Sequence, residues 1–445
     1  MATPEQFDLI VVGSGSGNSI PDYLADWKIA LVERDPVFGG TCLNRGCIPS
    51  KMFVLPADLA VDAAESARLG VDVRFHGADW AAIRDRVFGR IDAISAGGRE
   101  YRATGTPNVT LLEGTARFTG ERVLDVELHD GTVRTISAPQ VLVGVGSRPV
   151  VPDIRGLAEA GYHTSDTIMR LDRFPRRLGI LGGGFIAAEM GHVFAALGAK
   201  VTLFNRSDRL LRQHDRDISN RFTELFARRI DFRPGRLPEW VEHRATDGGA
   251  EIVIHDPLIE PVTVDELLVA TGRRSNSDLI DAAAGGIVVD DAGMIVVDEH
   301  MRTSVDGVWA FGDVANQLQL KHVANAEARV AFWNAAHPDE LRTIDHSAVP
   351  SAVFSHPQVA MVGYTEERAL AEGVDFVVGH RDYAGTAYGW ALVDETSFVK
   401  VLVERSTELV VGAHVIGPQA ATLIQPLISA MQFRQPASLV ARGQY

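Results

Sequence analysis

One arrangement occurs twice in this chain and constrains its fold more than any other feature. It is a short apolar strand, a glycine-rich turn, a stretch able to form a helix, and a second apolar strand. The first copy reads Phe7-Asp8-Leu9-Ile10-Val11-Val12, then Gly13-Ser14-Gly15-Ser16-Gly17-Asn18, then helix-compatible sequence, then Ile29-Ala30-Leu31-Val32-Glu33. The second reads Arg177-Leu178-Gly179-Ile180-Leu181, then Gly182-Gly183-Gly184-Phe185-Ile186-Ala187-Ala188-Glu189, with Val201-Thr202-Leu203-Phe204 following. Apolar runs without alternation suit strands buried on both faces. A glycine turn between such a strand and a helix lets backbone approach a pyrophosphate held at the helix N-terminus. One glycine turn could be an ordinary tight turn; two, each with strands on both sides, predict an α/β chain with two doubly wound dinucleotide-binding domains.

The length of 445 residues leaves room for a third domain, at roughly 150 residues per domain. From about Val349 onward the character changes. Val399-Lys400-Val401-Leu402-Val403 and Leu409 to Ile416 read as sheet, and Ala420 to Phe433 as an apolar helix. Between the two glycine units, Leu111 to Asp130 alternates, with the hairpin signal Asp130-Gly131, and Val141 to Pro149 reads as a buried strand leading to a crossover. A similar run, Leu267 to Arg274, and then Val308 to Asp313 follow the second unit. The formal charge of −15 gives no basic footprint for nucleic acid. No apolar stretch approaches a membrane span and no signal-peptide pattern opens the chain. A soluble cytoplasmic protein is the expectation.

The only cysteines, Cys42 and Cys47, share the segment Gly39-Gly40-Thr41-Cys42-Leu43-Asn44-Arg45-Gly46-Cys47-Ile48-Pro49-Ser50-Lys51. With no further cysteine or close histidine pair, a metal site is not expected and a redox pair is. In a regular helix, positions five apart have Cα atoms about 8.6 Å from each other, whereas a disulfide needs roughly 4.4–6.8 Å. Bonding therefore requires a distorted turn, which Gly46 and Pro49 make feasible. A helix N-terminus would also lower the thiol pKa.

The two nucleotide turns differ in their acids and bases. Glu33, 20 residues beyond Gly13, stands where a carboxylate accepts from an adenosine ribose and repels a 2′-phosphate, so the first site suits FAD or NAD. Asn18 replaces the third glycine of the pattern, a departure that would loosen helix–strand packing. At the second site Ala187 fills the third position. Asn205 stands where an acid would bind NAD, and Arg206, Arg209 and Arg212 crowd the same turn, so NADPH is favoured.

These motifs, together with Ala270-Thr271-Gly272, Phe311-Gly312-Asp313 and Val353-Phe354-Ser355-His356-Pro357, resemble those of the flavoprotein pyridine nucleotide-disulfide oxidoreductases over essentially the whole chain. The resemblance implies an FAD domain (residues 1–147 and 272–348), an NADPH domain (148–271) and a C-terminal α/β dimerisation domain (349–445) in a homodimer. It implies that Cys47 faces the flavin and Cys42 attacks a small-molecule disulfide. Lys51 would sit beside the flavin, paired with Glu189; Phe185 would gate the nicotinamide pocket beside Ile186; Asp313 would bind the ribityl chain. Ser16, Gly17, Gly40, Thr41, Gly146 and Gly272 would complete the cofactor sites. Gly13 to Pro21, Cys42 to Cys47 and Leu320-Lys321-His322-Val323-Ala324-Asn325 most resemble members acting on the disulfide of a small cysteine-bearing glycoside thiol. Relatives acting on lipoamide or glutathione disulfide are the alternative. The family's base, a His-Pro with an orienting Glu near the C-terminus, is expected just where the sequence stops at Gln444-Tyr445. A truncated chain, or a flavin-binding electron carrier without that base, follows as an expectation. His337-Pro338-Asp339-Glu340 and His356-Pro357 are read as structural.

Overall fold

The computed structural model describes residues 3–246 and 249–444. Tyr445, on which the expectation about the missing base partly falls, lies outside them. The chain forms two compact units, Met1–Pro49 with Arg86–Val150 and Arg273–Asp345, and Ser50–Asp85 with Val151–Gly272 and His346–Tyr445.

The first unit is built on an eight-stranded sheet. Its parallel part runs, edge to edge, Val109–Gly120, Ile29–Glu33, Leu9–Val12, Gln140–Val143 and Val308–Ala310. Side chains alternate across it as the strand period requires. Leu9, Val11, Ile29 and Leu31 enter one core with Phe311, Ala328, Ala331 and Phe332, while Ile10, Val12, Ala30 and Val32 enter another with Phe118, Ile280 and Val308. That double burial explains the unbroken apolar runs. Val109–Gly120 continues into an antiparallel meander with Val123–Leu128 and Val133–Ser137, and Asp130-Gly131 makes the second of its two turns.

The second unit holds a parallel sheet in the order Asp231–Arg233, Lys200–Phe204, Arg177–Leu181, Glu266–Val269. Three antiparallel strands, Trp240–Thr246, Gly249–Asp256 and Ile259–Val264, share its core through Val241, Ile252, Ile254 and Val264. A five-stranded antiparallel sheet runs Pro350–Val353, Val359–Gly363, Val410–Ile416, Phe398–Glu404, Phe376–Asp382. The single helix expected over Ala420 to Phe433 is two, Ala420–Leu423 and Gln425–Gln432. Pro426, without an N–H to donate, sits in the opening turn of the second, where it is tolerated.

Within this unit a buried lysine ties the start of the helix Arg216–Phe226 to the five-stranded sheet. Lys400 Nζ lies 2.9 Å from Asp215, 2.7 Å from Asp217 and 2.6 Å from Glu366, with Lys400 and Asp215 almost fully buried. Burial alone would raise the Asp215 carboxyl, but the Glu366 N–H and the Lys400 ammonium outweigh it and hold the group below its ordinary range. Beside it, burial first and then the neighbouring His414 pull His214 down to about 4. A depressed pKa in the folded state stabilises above the unfolded value, and that stability is lost as pH falls. The unit should therefore lose about 3 kcal/mol between pH ~6.5 and ~4 through His214 alone. Chemical denaturation of wild type and His214→Asn across that window should show the variant with a visibly shallower slope.

Candidate functional site

In the first unit, backbone approach dictates the glycines. Gly13 has φ +104°, and a Cβ there would lie 2.4 Å from the Gly144 carbonyl oxygen. A Cβ on Gly40 would lie 2.7 Å from the Gly15 Cα, so the glycine turn and the cysteine segment touch backbone to backbone. Gly17 packs against the first strand, its added Cβ falling 2.8 Å from Val11 Cγ1. Gly17 thus supplies the close approach expected of the third glycine, and Asn18 does not loosen the turn, because its side-chain oxygen and carbonyl both accept from Arg102. Glu33 ends its strand with one oxygen accepting from the Ser14 N–H at 2.8 Å and the other from the Asp35 N–H at 2.8 Å.

One expectation fails here. The residues after the first turn form two short 3₁₀ turns, Ser16–Asn18 and Asp22–Leu24, rather than a helix. Pro21 lies between them, lacks the N–H a helix needs and biases Ile20 away from helical backbone. The stretch that follows the first turn in sequence therefore supplies no regular α-helix to it.

The cysteines also depart from the expected geometry. Instead of one distorted helix there are two, Gly40–Asn44 and Cys47–Glu65, broken at Arg45 and Gly46. A Cβ on Gly46 would lie 3.1 Å from the Thr41 carbonyl oxygen and 3.5 Å from the Cys42 Cα, so glycine lets the break fold back onto Cys42. Arg45 is held by Asp35 at 2.6 Å. Neither cysteine is disulfide-bonded; Cys42 is half-buried and Cys47, like Thr41, exposed. The Cys42 thiol is pushed up, not down. The hydrogen bond with Cys47 and burial raise it, and the nearby Lys321 only partly opposes them. Five residues make too short a helix for its dipole to prevail. Asp313 accepts from Ser147 Oγ at 2.8 Å, and Arg273 donates to the same oxygen at 2.9 Å. Gly146 has φ +67°, and a Cβ there would meet nothing within 4 Å.

In the second unit the expected helix is present. Gly182 has φ +121°, with the Ala270 carbonyl oxygen 2.1 Å from a Cβ placed there, while Gly184 caps the helix Phe185–Ala196 and faces open space. Phe185 is 43% exposed at the helix start, Ile186 half-buried and Ala187 fully buried. Asn205 lies under Gly183, and its amide donates to the Ser207 and Arg209 carbonyls at 3.1 and 2.9 Å. It shapes the arginine loop from below. Arg206 and Arg212 are exposed, whereas Arg209 is half-buried with its Nη1 atom shielded from solvent and without a hydrogen-bond partner. Gly272 has φ +128° and open space at its Cβ position.

Lys51 Nζ meets Glu189 Oε1 at 2.6 Å, the carboxylate being 7% exposed. The same oxygen accepts from the Phe354 N–H at 3.0 Å, and the ammonium stands 4.3 Å over the Phe354 ring. His337 stacks on Trp333 at 3.8 Å and caps its helix. His356 pairs with Glu65 at 2.8 Å, and His192 with Asp58 at 2.8 Å. The His356–Glu65 pair spans distant sequence and carries no local signal. Lys321 carries no signal of its own in the sequence beyond its motif; its Nζ donates to Ser16 Oγ at 2.9 Å, inside the first glycine turn.

These residues fit two dinucleotides. The first turn offers closely packed glycine backbone and a strand-end carboxylate, and the second a helix N-terminus with an orphaned guanidinium nitrogen suited to a 2′-phosphate. Among the described residues no group of three or more His, Cys, Asp or Glu could hold a metal ion, and no helix is long and apolar enough to cross a membrane.

Residues 7–328 match the pyridine nucleotide-disulphide oxidoreductase family, and residues 349–443 match the dimerisation domain of the same family. The chain is 43% identical to mycothione reductase of Mycobacterium tuberculosis, over 99% of this chain and 96% of that protein. It is 33% identical to dihydrolipoyl dehydrogenase 2 of Haloarcula marismortui, over 94% and 89% of the two chains. Among solved structures, the HOCl-induced flavoprotein disulfide reductase RclA from Escherichia coli superposes with a TM-score of 0.85 at 26% identity, over 98% of this chain and 96% of that one.

Lys51→Met would leave Glu189 with the Phe354 N–H alone. Because Lys51 is 37% exposed, the expected loss is about 1–2 kcal/mol, below the cost of breaking a fully buried pair. Urea denaturation of the two proteins measures it.

Proposed function

The chain belongs to the pyridine nucleotide-disulphide oxidoreductase family, and we propose that it reduces mycothione with NADPH through bound FAD and the Cys42–Cys47 pair. The observation that carries this reading is the backbone contact between Gly15 and Gly40, which brings the only two thiols of the chain against a dinucleotide turn. The choice of mycothione rests on the mycobacterial relative.

When bound, NADPH supplies a hydride and FAD carries its electron pair to sulfur. The Cys42–Cys47 disulfide then opens to one thiolate and one thiol, the hydride's two electrons and one proton balancing the change. Cys42, as thiolate, attacks one sulfur of mycothione, forming a mixed disulfide and expelling one thiolate. Cys47, giving its proton to the released thiolate, attacks the Cys42 sulfur, restores the internal bond and expels the second thiolate. Glu33 would accept from the adenosine ribose of FAD and Asp313 from its ribityl chain; Ser16, Gly17, Gly40 and Thr41 would line the flavin nucleotide, and Gly146 and Gly272 leave open space beside the cofactors. Lys51, fixed by Glu189, would present its ammonium to the flavin. Phe185, with Ile186, would cover the nicotinamide. Arg206, Arg209 and Arg212 would take the 2′-phosphate on a loop shaped by Asn205. The domains divide at about residues 147, 271 and 348.

The protein works as a homodimer in the cytoplasm. Leu55 and Leu59, one turn apart on the helix Cys47–Glu65, are 62% and 64% exposed in the single chain, an apolar face that a second copy would cover. The matched dimerisation domain supports this.

Two measurements test the reading. NADPH oxidation with mycothione, glutathione disulfide and lipoamide side by side should be fastest with mycothione; good turnover with another disulfide and none with mycothione would refute the substrate. Arg209→Met should raise KM for NADPH about tenfold, a loss of ~1.4 kcal/mol, and leave KM for NADH within about twofold. Equal changes for both coenzymes would remove Arg209 from the 2′-phosphate site.

A further inference from the structure

Lys321 opens the helix Lys321–Ala336 and is half-buried there. A cation at a helix N-terminus opposes the dipole, and burying it costs solvation. A chain that keeps such a group needs an anion to hold. The ammonium is fixed in place: Nζ donates to Ser16 Oγ at 2.9 Å, and that oxygen also lies 2.9 Å from Asn325 Oδ1 on the same helix. The helix start is fixed in turn, since Glu327 accepts from the Gly312 N–H at 2.7 Å and Ala324 Cβ would stand 3.0 Å from a Cβ on Gly312. Ser16 belongs to the turn whose Gly15 touches Gly40, two residues before Cys42. Burial holds the Lys321 pKa below the usual lysine value, and negative charge on the neighbouring Cys42, Cys47 or Asp313 acts to raise it. Asp313 is engaged by Ser147.

We propose that Lys321 stabilises the thiolate of the reduced Cys42–Cys47 couple, so that its ammonium favours opening of the internal disulfide. This rests on the redox role assigned above to the two cysteines. Opening by a hydride equivalent leaves one thiol and one thiolate, a net negative charge created beside the half-buried Cys42 and Lys321. A fixed cation beside it lowers the cost of that charge without reorganising.

The test uses the FAD-loaded protein as wild type, Lys321→Met and Lys321→Arg. Dithiothreitol rather than NADPH reduces the pair, so the result does not depend on nicotinamide chemistry. Two readouts apply: the pH midpoint for iodoacetamide alkylation of the reduced pair, and the disulfide potential in dithiothreitol redox buffers. Lys321→Met should shift the thiolate population about tenfold, one pH unit, and lower the potential by about 30 mV; Lys321→Arg should stay within about twofold of wild type. Coincident midpoints and potentials for wild type and Lys321→Met would overturn the inference, as would an arginine variant as impaired as the methionine one. If Lys321→Met fails to fold, Lys321→Gln is read by the same two criteria. A wild-type pair that dithiothreitol reduces but NADPH does not would refute the functional reading while leaving Lys321 to be judged on its own data.

Discussion

The contact on which the first unit depends is between two backbones. Gly15 and Gly40 approach so closely that a Cβ on Gly40 would lie 2.7 Å from the Gly15 Cα, and Gly40 has φ +74° besides. That approach joins a glycine turn, made to receive a pyrophosphate, to a segment holding two thiols five residues apart. The surrounding architecture maintains it. Strands buried on both faces fix Gly13 against Gly144, Ser14 bridges to Glu33 and Gly39, and the break at Gly46 folds the second cysteine back toward the first. A β-carbon at Gly13 or Gly40 pushes on main chain, which has no rotamer with which to yield.

Charge follows the same economy in both units. The buried carboxylates are not isolated: Glu189 has Lys51 and an N–H, Asp215 has Lys400 and an N–H, and Glu327 accepts from Gly312 and Asn316. Such pairs are costly to bury and costlier to break, so they fix geometry more than they add stability. Lys321 departs from this pattern in holding a hydroxyl rather than a carboxylate. Arg209 departs from it in a buried nitrogen with no partner.

Much of this could be read from sequence because strand burial and glycine geometry are local. The two strand–turn–strand units and Asn205 among arginines follow from spacing and residue type, whereas Lys51 with Glu189 is implied by the family resemblance. What could not be read arises from competition between local rules or from distant pairing. The 3₁₀ turns after Gly17 depend on Pro21 overriding a helical pattern. Gly17 took the packing role because the turn is shifted relative to the usual motif. The elevated Cys42 thiol reflects its neighbour Cys47 and its burial, which outweigh a helix too short to matter. His356 with Glu65, and Lys321 with Ser16, join residues hundreds of positions apart.

The central claim is that reducing equivalents from NADPH arrive at the Cys42–Cys47 bond. Counting thiols by reaction with an aromatic disulfide, under denaturing quench and before and after one anaerobic equivalent of NADPH, tests it most directly. The account predicts that oxidised, FAD-loaded protein shows none and that NADPH uncovers both cysteines. A flavin that bleaches while the thiol count stays unchanged would contradict it.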